Sequence, residues 1–295
     1  MSNFYENLSD TTKAYLFDKM PARYFPDNDK DGRSFEDSFG AVKDLMRPTS
    51  AVTVHAVMTD EATPPEILED LFFNSGLERN KIRLLKNPNL PKHIVEYALT
   101  QHEPIINYQF ESLAGAAISR PEIPLSYIKE VILEGDVYII QGTVLHPSIT
   151  EELLSLLCER TLTDSALKSD PDAYLRLIAV LLKHSSTPIN FLKKYQDTDI
   201  ADLQNALLDN HSLPSEILRY LFDTKRMATY QEDEFYFHPN TPIELAANFL
   251  ADYFEENDYV GNAEIRCDAY LKTLGYDDEI LSSIPLLYKL KLVAE

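Results

Sequence analysis

Three aspartates at alternating positions, Asp27, Asp29 and Asp31, precede Gly32 in the stretch PDNDKDGRSFEDS. Oxygen ligands at the first, third and fifth positions of a loop, with glycine at its sharp turn, are what a calcium ion held in EF-hand fashion requires. The twelfth position, which should carry a bidentate glutamate, is Ser38, and Glu36 and Asp37 lie out of register with it. Asp and Gly are also ordinary turn residues. No cofactor is therefore expected, and calcium at these three carboxylates is the one alternative.

Other chemistry is scarce. Cys158 and Cys267 lie 109 positions apart with no CxxC between them, so they read as buried free thiols, and structural zinc and iron–sulfur clusters are not expected. There is no GxSxG, no Walker phosphate loop, no HExxH and no glycine-rich dinucleotide turn, and His102-Glu103-Pro104 lacks a second histidine. Eight glycines leave few loops able to cradle phosphate. Carboxylate pairs such as Glu255/Glu256 sit in acidic runs that read as solvated faces. The expectation is a protein without catalytic activity.

Charge is the strongest compositional fact. The net charge of −21 repels phosphate backbones at long range, so direct nucleic-acid binding is not expected. Residues 230–280 hold thirteen acids against only Arg266 and Lys272, which concentrates the charge toward the C-terminus. Many of the 17 tyrosines stand beside those acids. Tyrosine supplies amphipathic contact area at low ordering cost. The expected partner-binding surface therefore comprises Tyr253, Tyr259 and Tyr276, read as exposed, with Asp252, Glu255, Glu256, Asp258, Asp277, Asp278 and Glu279. Its partner would be another protein, of basic character.

The elements that carry these residues are set by a repeated phrase. LLKNPNLPKHIVEYAL, residues 84–99, places Pro88 and Pro91 directly before a helical pattern, and related starts fall at Pro64, Pro91, Pro124, Thr150, Pro188, Pro214 and Pro242. The intervals are 27, 33, 26, 38, 26 and 28 residues, a spacing that belongs to stacked supersecondary units. After each start, apolar residues recur three, four and usually seven and eight positions later, as in Ile67, Leu68, Leu71 and Phe72, which makes one stripe on a helix. Before each start, an apolar pair such as Val57/Met58, Leu84/Leu85 or Leu207/Leu208 marks the end of a shorter helix.

That shorter helix stops at the residue four before the start: Asp60, Asn87, Arg120, His146, His184, Asn210 or His238. In four copies a proline follows at once and ends it, lacking an amide hydrogen and opposing a continuing helix. The second proline suits the first turn of the next helix. Thr63, Thr187 and Thr241 read as its N-caps, with Thr63/Glu66 and Thr241/Glu244 spaced as capping boxes. The three histidines are expected to hydrogen-bond helix-terminal carbonyls rather than bind metal, because equivalent positions about 10 Å apart along a stack are too far apart to share one ion.

The phrases NPNLPKHIVEYAL, HPSITEELLSLL, NHSLPSEILRYLF and HPNTPIELAANFL resemble the leucine-rich repeat variant pattern of prokaryotic and phage proteins, itself similar to HEAT-like α-solenoids. The resemblance covers about residues 50–255 and implies architecture rather than activity. Insertions such as CERTLTDSALKSDPDAY make the repeats longer than that family's usual unit, and the cysteine cluster that some members carry ahead of their repeats is missing.

The expected fold is thus all-α: a right-handed α-solenoid of about seven irregular helix pairs over residues 50–255. Residues 1–49 would form a helical N-terminal cap with the acidic turn, and residues 256–295 a helical C-terminal cap, all in one elongated unit. No apolar run reaches membrane-spanning length and the N-terminus lacks a signal-peptide layout, so a cytoplasmic protein is expected. A protein-binding scaffold is the leading reading. The alternative is an acidic nucleic-acid mimic that inhibits a DNA- or RNA-binding enzyme. A third is a HEAT-like DNA-repair enzyme, for which Arg79, Lys81, Arg83 and Lys86 are the only basic cluster.

Overall fold

Apolar stripes at helical spacing predict a helix after every start, and the computed structural model has one at each of the seven. It describes residues 7–19, 51–74, 78–103, 105, 112–224, 232–257 and 262–294. Among these the protein is all-α.

Helix α1 (Asp10–Asp18) stands first. Then come α2 (Ala51–Thr59), α3 (Pro65–Asn74), α4 (Glu78–Leu84), α5 (Lys92–Leu99), α6 (Leu113–Ile118), α7 (Leu125–Glu134) and α8 (Val137–Val144). After these follow α9 (Glu151–Thr163), α10 (Pro171–Lys183), α11 (Ile189–Tyr195), α12 (Ala201–Leu208), α13 (Ser215–Asp223), α14 (Glu232–Phe237) and α15 (Ile243–Asn257). The last three are α16 (Ala263–Thr273), α17 (Asp278–Ser283) and α18 (Leu286–Ala294).

The chain divides into two compact units, Met1–Ile149 and Thr150–Glu295, whereas the sequence reading set its boundaries at 49/50 and 255/256. The division falls at the one start where Thr150 replaces proline, ahead of the longest interval in the series.

In the first unit the shorter helices α2, α4, α6 and α8 pack in succession, and α1 lies on α2 and α3. The pairs at their ends, Val57/Met58, Leu84/Leu85 and Ala117/Ile118, are buried, as are Ile67, Leu68, Leu71 and Phe72 on α3. Helices α6 and α8 meet backbone to backbone. A Cβ on Gly142 would lie 1.8 Å from the Gly115 carbonyl oxygen, so only glycine permits this approach.

In the second unit α10 packs on α12, while α15 gathers α14, α16 and α18 around it. Its buried stripes include Leu153, Leu154, Leu157 and Cys158 on α9 and Ile217, Leu218 and Leu221 on α13.

The corner between the first and second helix of each copy has one geometry throughout, although α10, 13 residues long, precedes the 7-residue α11 and so reverses the expected order of lengths. In all seven copies the amide three residues after the turn residue donates to that residue's carbonyl: Thr63 to Asp60, Leu90 to Asn87, Ile123 to Arg120, Ile149 to His146, Thr187 to His184, Leu213 to Asn210, and Thr241 to His238. The second proline is the N-cap rather than the first helical residue, with extended backbone at Pro91, Pro124, Pro188 and Pro214. Thr150, at the equivalent position, caps α9 by accepting the Leu153 amide.

The threonine N-caps expected at Thr63, Thr187 and Thr241 are therefore displaced by one residue. Each hydroxyl instead donates backwards, to the carbonyls of Val57, Leu181 and Phe235 six positions earlier. The reason is accounting: a helix C-terminus leaves orphan carbonyls, and a buried threonine beside one satisfies it. Leu90, Ile123 and Leu213 fill the same buried place in other copies.

Candidate functional site

In four copies, at Asn87, His146, Asn210 and His238, the polar residue that ends the first helix does two jobs, and the chemistry of its side chain follows from them. Asp60, Asn87 and Asn210 accept the amide two residues on through Oδ1, and His146, His184 and His238 accept it through Nδ1. This closes an Asx-like turn. In Asn87, His146, Asn210 and His238 the other end of the side chain reaches the turn of the preceding repeat.

Asn87 Nδ2 donates to the carbonyls of Met58 (2.9 Å) and Asp60 (3.0 Å). Asn210 Nδ2 donates to those of Leu182 (2.8 Å) and His184 (3.1 Å), the same two places one repeat back. Arg120 Nη1 takes that register too, on Leu85 (2.6 Å) and Asn87 (2.8 Å). His146 Nε2 reaches the Ile123 carbonyl at 3.2 Å and His238 Nε2 the Asn210 carbonyl at 2.8 Å. Polar side chains thus form a seam along the turns within each unit.

The seam fixes the histidine tautomer. A backbone N–H only donates, so each Nδ1 bears a lone pair, and the proton of the neutral ring sits on Nε2, where His146 and His238 donate it to a carbonyl. Neutral imidazole here imitates the asparagine amide: Nδ1 for Oδ1, Nε2–H for the amide N–H. Burial holds His184 and His238 below the ordinary histidine pKa. The sequence expectation that these rings bond carbonyls holds for His146 and His238, but the carbonyls belong to the preceding repeat.

The second helices of the copies carry a matching register of polar pairs. A residue five after one start faces a residue two after the next: Glu69 with His93 (3.1 Å), Lys193 with Glu216 (2.8 Å), and Arg219 with Glu244. These pairs are solvent-accessible, so they set repeat register more than they add stability.

The predicted docking surface fares unevenly. Asp252 and Glu279 are exposed. Asp277 is the N-cap of α17, accepting the Ile280 amide at 2.8 Å, and Asp278 pairs with Lys272 at 2.6 Å. Tyr253 and Tyr276, expected to be exposed, are half-buried. The Tyr253 ring packs edge-on to Phe237 (centroids 4.9 Å) and stacks near Phe249 (6.1 Å), because α14, which carries Phe237, packs against α15. Tyr276 follows Gly275, which ends α16 with φ +97°. The Gly275 amide donates to Lys272 and that of Tyr276 to Leu271, a Schellman closure that folds the ring back onto the core. Tyr259 and Asp258, and the side chains of Glu255 and Glu256 on α15, lie outside the described residues, as do Asp27, Asp29 and Asp31.

Sequence reasoning missed a buried lysine and a half-buried arginine. Lys289 is only 2% exposed and holds Glu264 (3.1 Å) and Asp268 (2.8 Å). Burial works against its charge, yet these carboxylates outweigh it and hold the ammonium pKa up. The only signal was a lysine inside the apolar run LLYKLKLV. Arg266 donates to the carbonyls of Tyr236 (3.2 Å) and Thr241 (2.6 Å) and so fastens α16 to the last turn. Burial lowers its pKa.

Both thiols are buried and free, and burial pushes Cys158 up to about 12 and Cys267 to about 11. In the basic cluster, Lys81 is half-buried with Nζ 5.7 Å from the Phe72 ring centre, Arg83 is half-buried and Lys86 is exposed, while the side chain of Arg79 lies outside the described residues. Among the described residues no group of three or more His, Cys, Asp or Glu side chains is placed to hold a metal ion, and no helix is long and apolar enough to cross a membrane.

The class of the protein is all-α, with one turn recurring along the chain. No protein-family model matches it, no curated protein matches it and no solved structure matches it.

Proposed function

We propose that this protein is a non-enzymatic, cytoplasmic scaffold of leucine-rich repeat variant or HEAT-like type, in which about seven helix pairs stack as a right-handed α-solenoid and bind another protein. One observation carries the reading. Asn87, Arg120, Asn210 and His238, which would otherwise be candidates for chemistry, are taken up by the turn of the preceding repeat, the first three in one register. A chain that invests its buried polar groups in stacking offers an extended surface, not a convergent site. The thiols fit: at about 11 and 12 their pKa values leave negligible thiolate at neutral pH.

The partner is a basic protein, and the exposed carboxylates of Asp252 and Glu279 are the first groups it meets. Asp277 and Asp278 contribute charge but are held by local structure. The net charge of −21 supports a second reading, a nucleic-acid mimic occupying a DNA- or RNA-binding enzyme.

The test is capture with the tagged full chain from lysate of its native host at low and high salt, followed by challenge with duplex DNA and RNA. A scaffold keeps its partner under nucleic-acid challenge and a mimic loses it. Neutralising Asp252→Asn with Glu279→Gln should weaken capture and flatten its salt dependence. Unchanged capture by that variant would remove this surface from the proposal.

A further inference from the structure

The His238 turn differs from its asparagine counterparts in one respect: its acceptor can be protonated. Nδ1 receives the Asn240 amide (3.1 Å) and Nε2–H donates to the Asn210 carbonyl (2.8 Å), so the ring has both nitrogens occupied only while neutral. A proton on Nδ1 sets an N–H against the Asn240 N–H, and the turn loses its closing bond. At Asn87 the same place is filled by an amide oxygen, which pH leaves alone.

The surroundings make that proton more costly still. The His211 ring lies 6.4 Å from that of His238, centre to centre, and Arg266 of α16 also faces it. Glu244 of α15 is the acid beside Arg266, and its carboxylate is already paired with Arg219. The ring itself is buried.

We propose that the His238 turn is an acid-sensitive joint, which opens on protonation and loosens the hold of the C-terminal helices on the rest of the second unit. The coupling runs through backbone. Asn240 Nδ2 grips the carbonyls of His211 and Leu213 (both 3.1 Å), and Arg266 grips those of Tyr236 and Thr241 on either side of His238. When the turn opens, the seat of Arg266 moves with it.

The sign follows from the depressed pKa. Burial is the main cause of the depression, with His211 and Arg266 adding to it and the Asn210 carbonyl opposing it. The unfolded ring, with its ordinary value of 6.5, binds a proton more readily than the folded one. Stability at this joint is therefore full above about pH 6.5 and is lost as pH falls from there toward the folded value.

The experiment is hydrogen exchange of the full chain at pH 7.5 and 5.5, corrected for intrinsic exchange, comparing residues 238–242 and α16 with the Asn87 turn at 87–91. The expected result is a loss of protection at 238–242 and along α16 on acidification, with about tenfold as its ceiling over this pH interval, against little change at 87–91. His238→Asn should keep the turn closed and abolish the acid effect. Equal loss at both turns, or an acid effect that persists in His238→Asn, would overturn the joint. Should that variant not fold, the nitrogen shifts of the His238 ring in the unsubstituted chain decide: an apparent pKa at or above 6.5 refutes the proposal and one below it supports it.

Discussion

Replacing Asn210 by alanine tests whether the seam holds the repeats together. Asn210 is fully buried, and its side chain makes three hydrogen bonds: to the carbonyls of Leu182 (2.8 Å) and His184 (3.1 Å), and from the Ser212 amide (3.0 Å). Each is worth roughly 0.5–1.5 kcal/mol net, and partners left buried without a substitute push the loss to the upper part of that range. The expected cost is about 3 kcal/mol, a large share of the roughly 5–15 kcal/mol that stabilises an ordinary domain.

Urea denaturation followed by far-UV circular dichroism reads this directly. With a slope of roughly 2 kcal/mol per molar, the midpoint of the affected transition should fall by about 1.5 M. Because the chain forms two compact units, the two transitions should be fitted separately. Two further variants sharpen the result. Asn210→His places the group found at His146 and His238, so it should cost under about 1 kcal/mol. Asn210→Asp keeps the acceptor for Ser212 but turns a carboxylate oxygen toward two carbonyls, so it should cost at least as much as alanine near neutral pH. A loss below about 1 kcal/mol for Asn210→Ala, or an aspartate variant as stable as the wild type, would refute the account of the seam.

Other perturbations probe other parts. Gly142→Ala drives a methyl into the Gly115 carbonyl 1.8 Å away, so α6 and α8 must separate; thermal melting should show about 3 kcal/mol lost, whereas Gly275→Ala strains only a positive φ with open space around it and should cost about 1 kcal/mol. Asp70 anchors α1 through the Ser9 amide (2.8 Å); burial works to raise its pKa, but hydrogen bonds from Thr12, Asn74 and Ser9 outweigh this and hold it below 3.8. Its contribution is therefore present above about pH 4 and lost as pH falls through the lower folded value, and exchange of α1 amides should rise there in the wild type but not in Asp70→Asn. Cys158 and Cys267 should resist a thiol-specific disulfide reagent in the native protein at pH 7.5 and react on addition of denaturant, with rapid native labelling contradicting their burial.

Much of the backbone was legible because helix boundaries are set locally. Prolines, apolar pairs and stripes act within a few residues of themselves, and every one of the seven starts bears a helix. The same reasoning misplaced the threonine hydroxyls by one role, since Thr63 and Thr241 answer orphan carbonyls of the helix behind them rather than amides of the helix ahead. It also took Tyr253 and Tyr276 for surface groups, because charge beside a ring in sequence does not report what packs on the ring in space.

The sequence by itself determined where the chain turns, which faces are apolar and how the charge is distributed, all of which depend on composition and short-range spacing. Only the tertiary structure decided what the turn residues do. Whether Asn87, Arg120, Asn210 and His238 face water or a neighbour depends on carbonyls 26 to 35 residues earlier in the chain. It likewise decided that Lys289 is buried between Glu264 and Asp268, since the cost of hiding an ammonium is offset only when its carboxylates arrive from another helix.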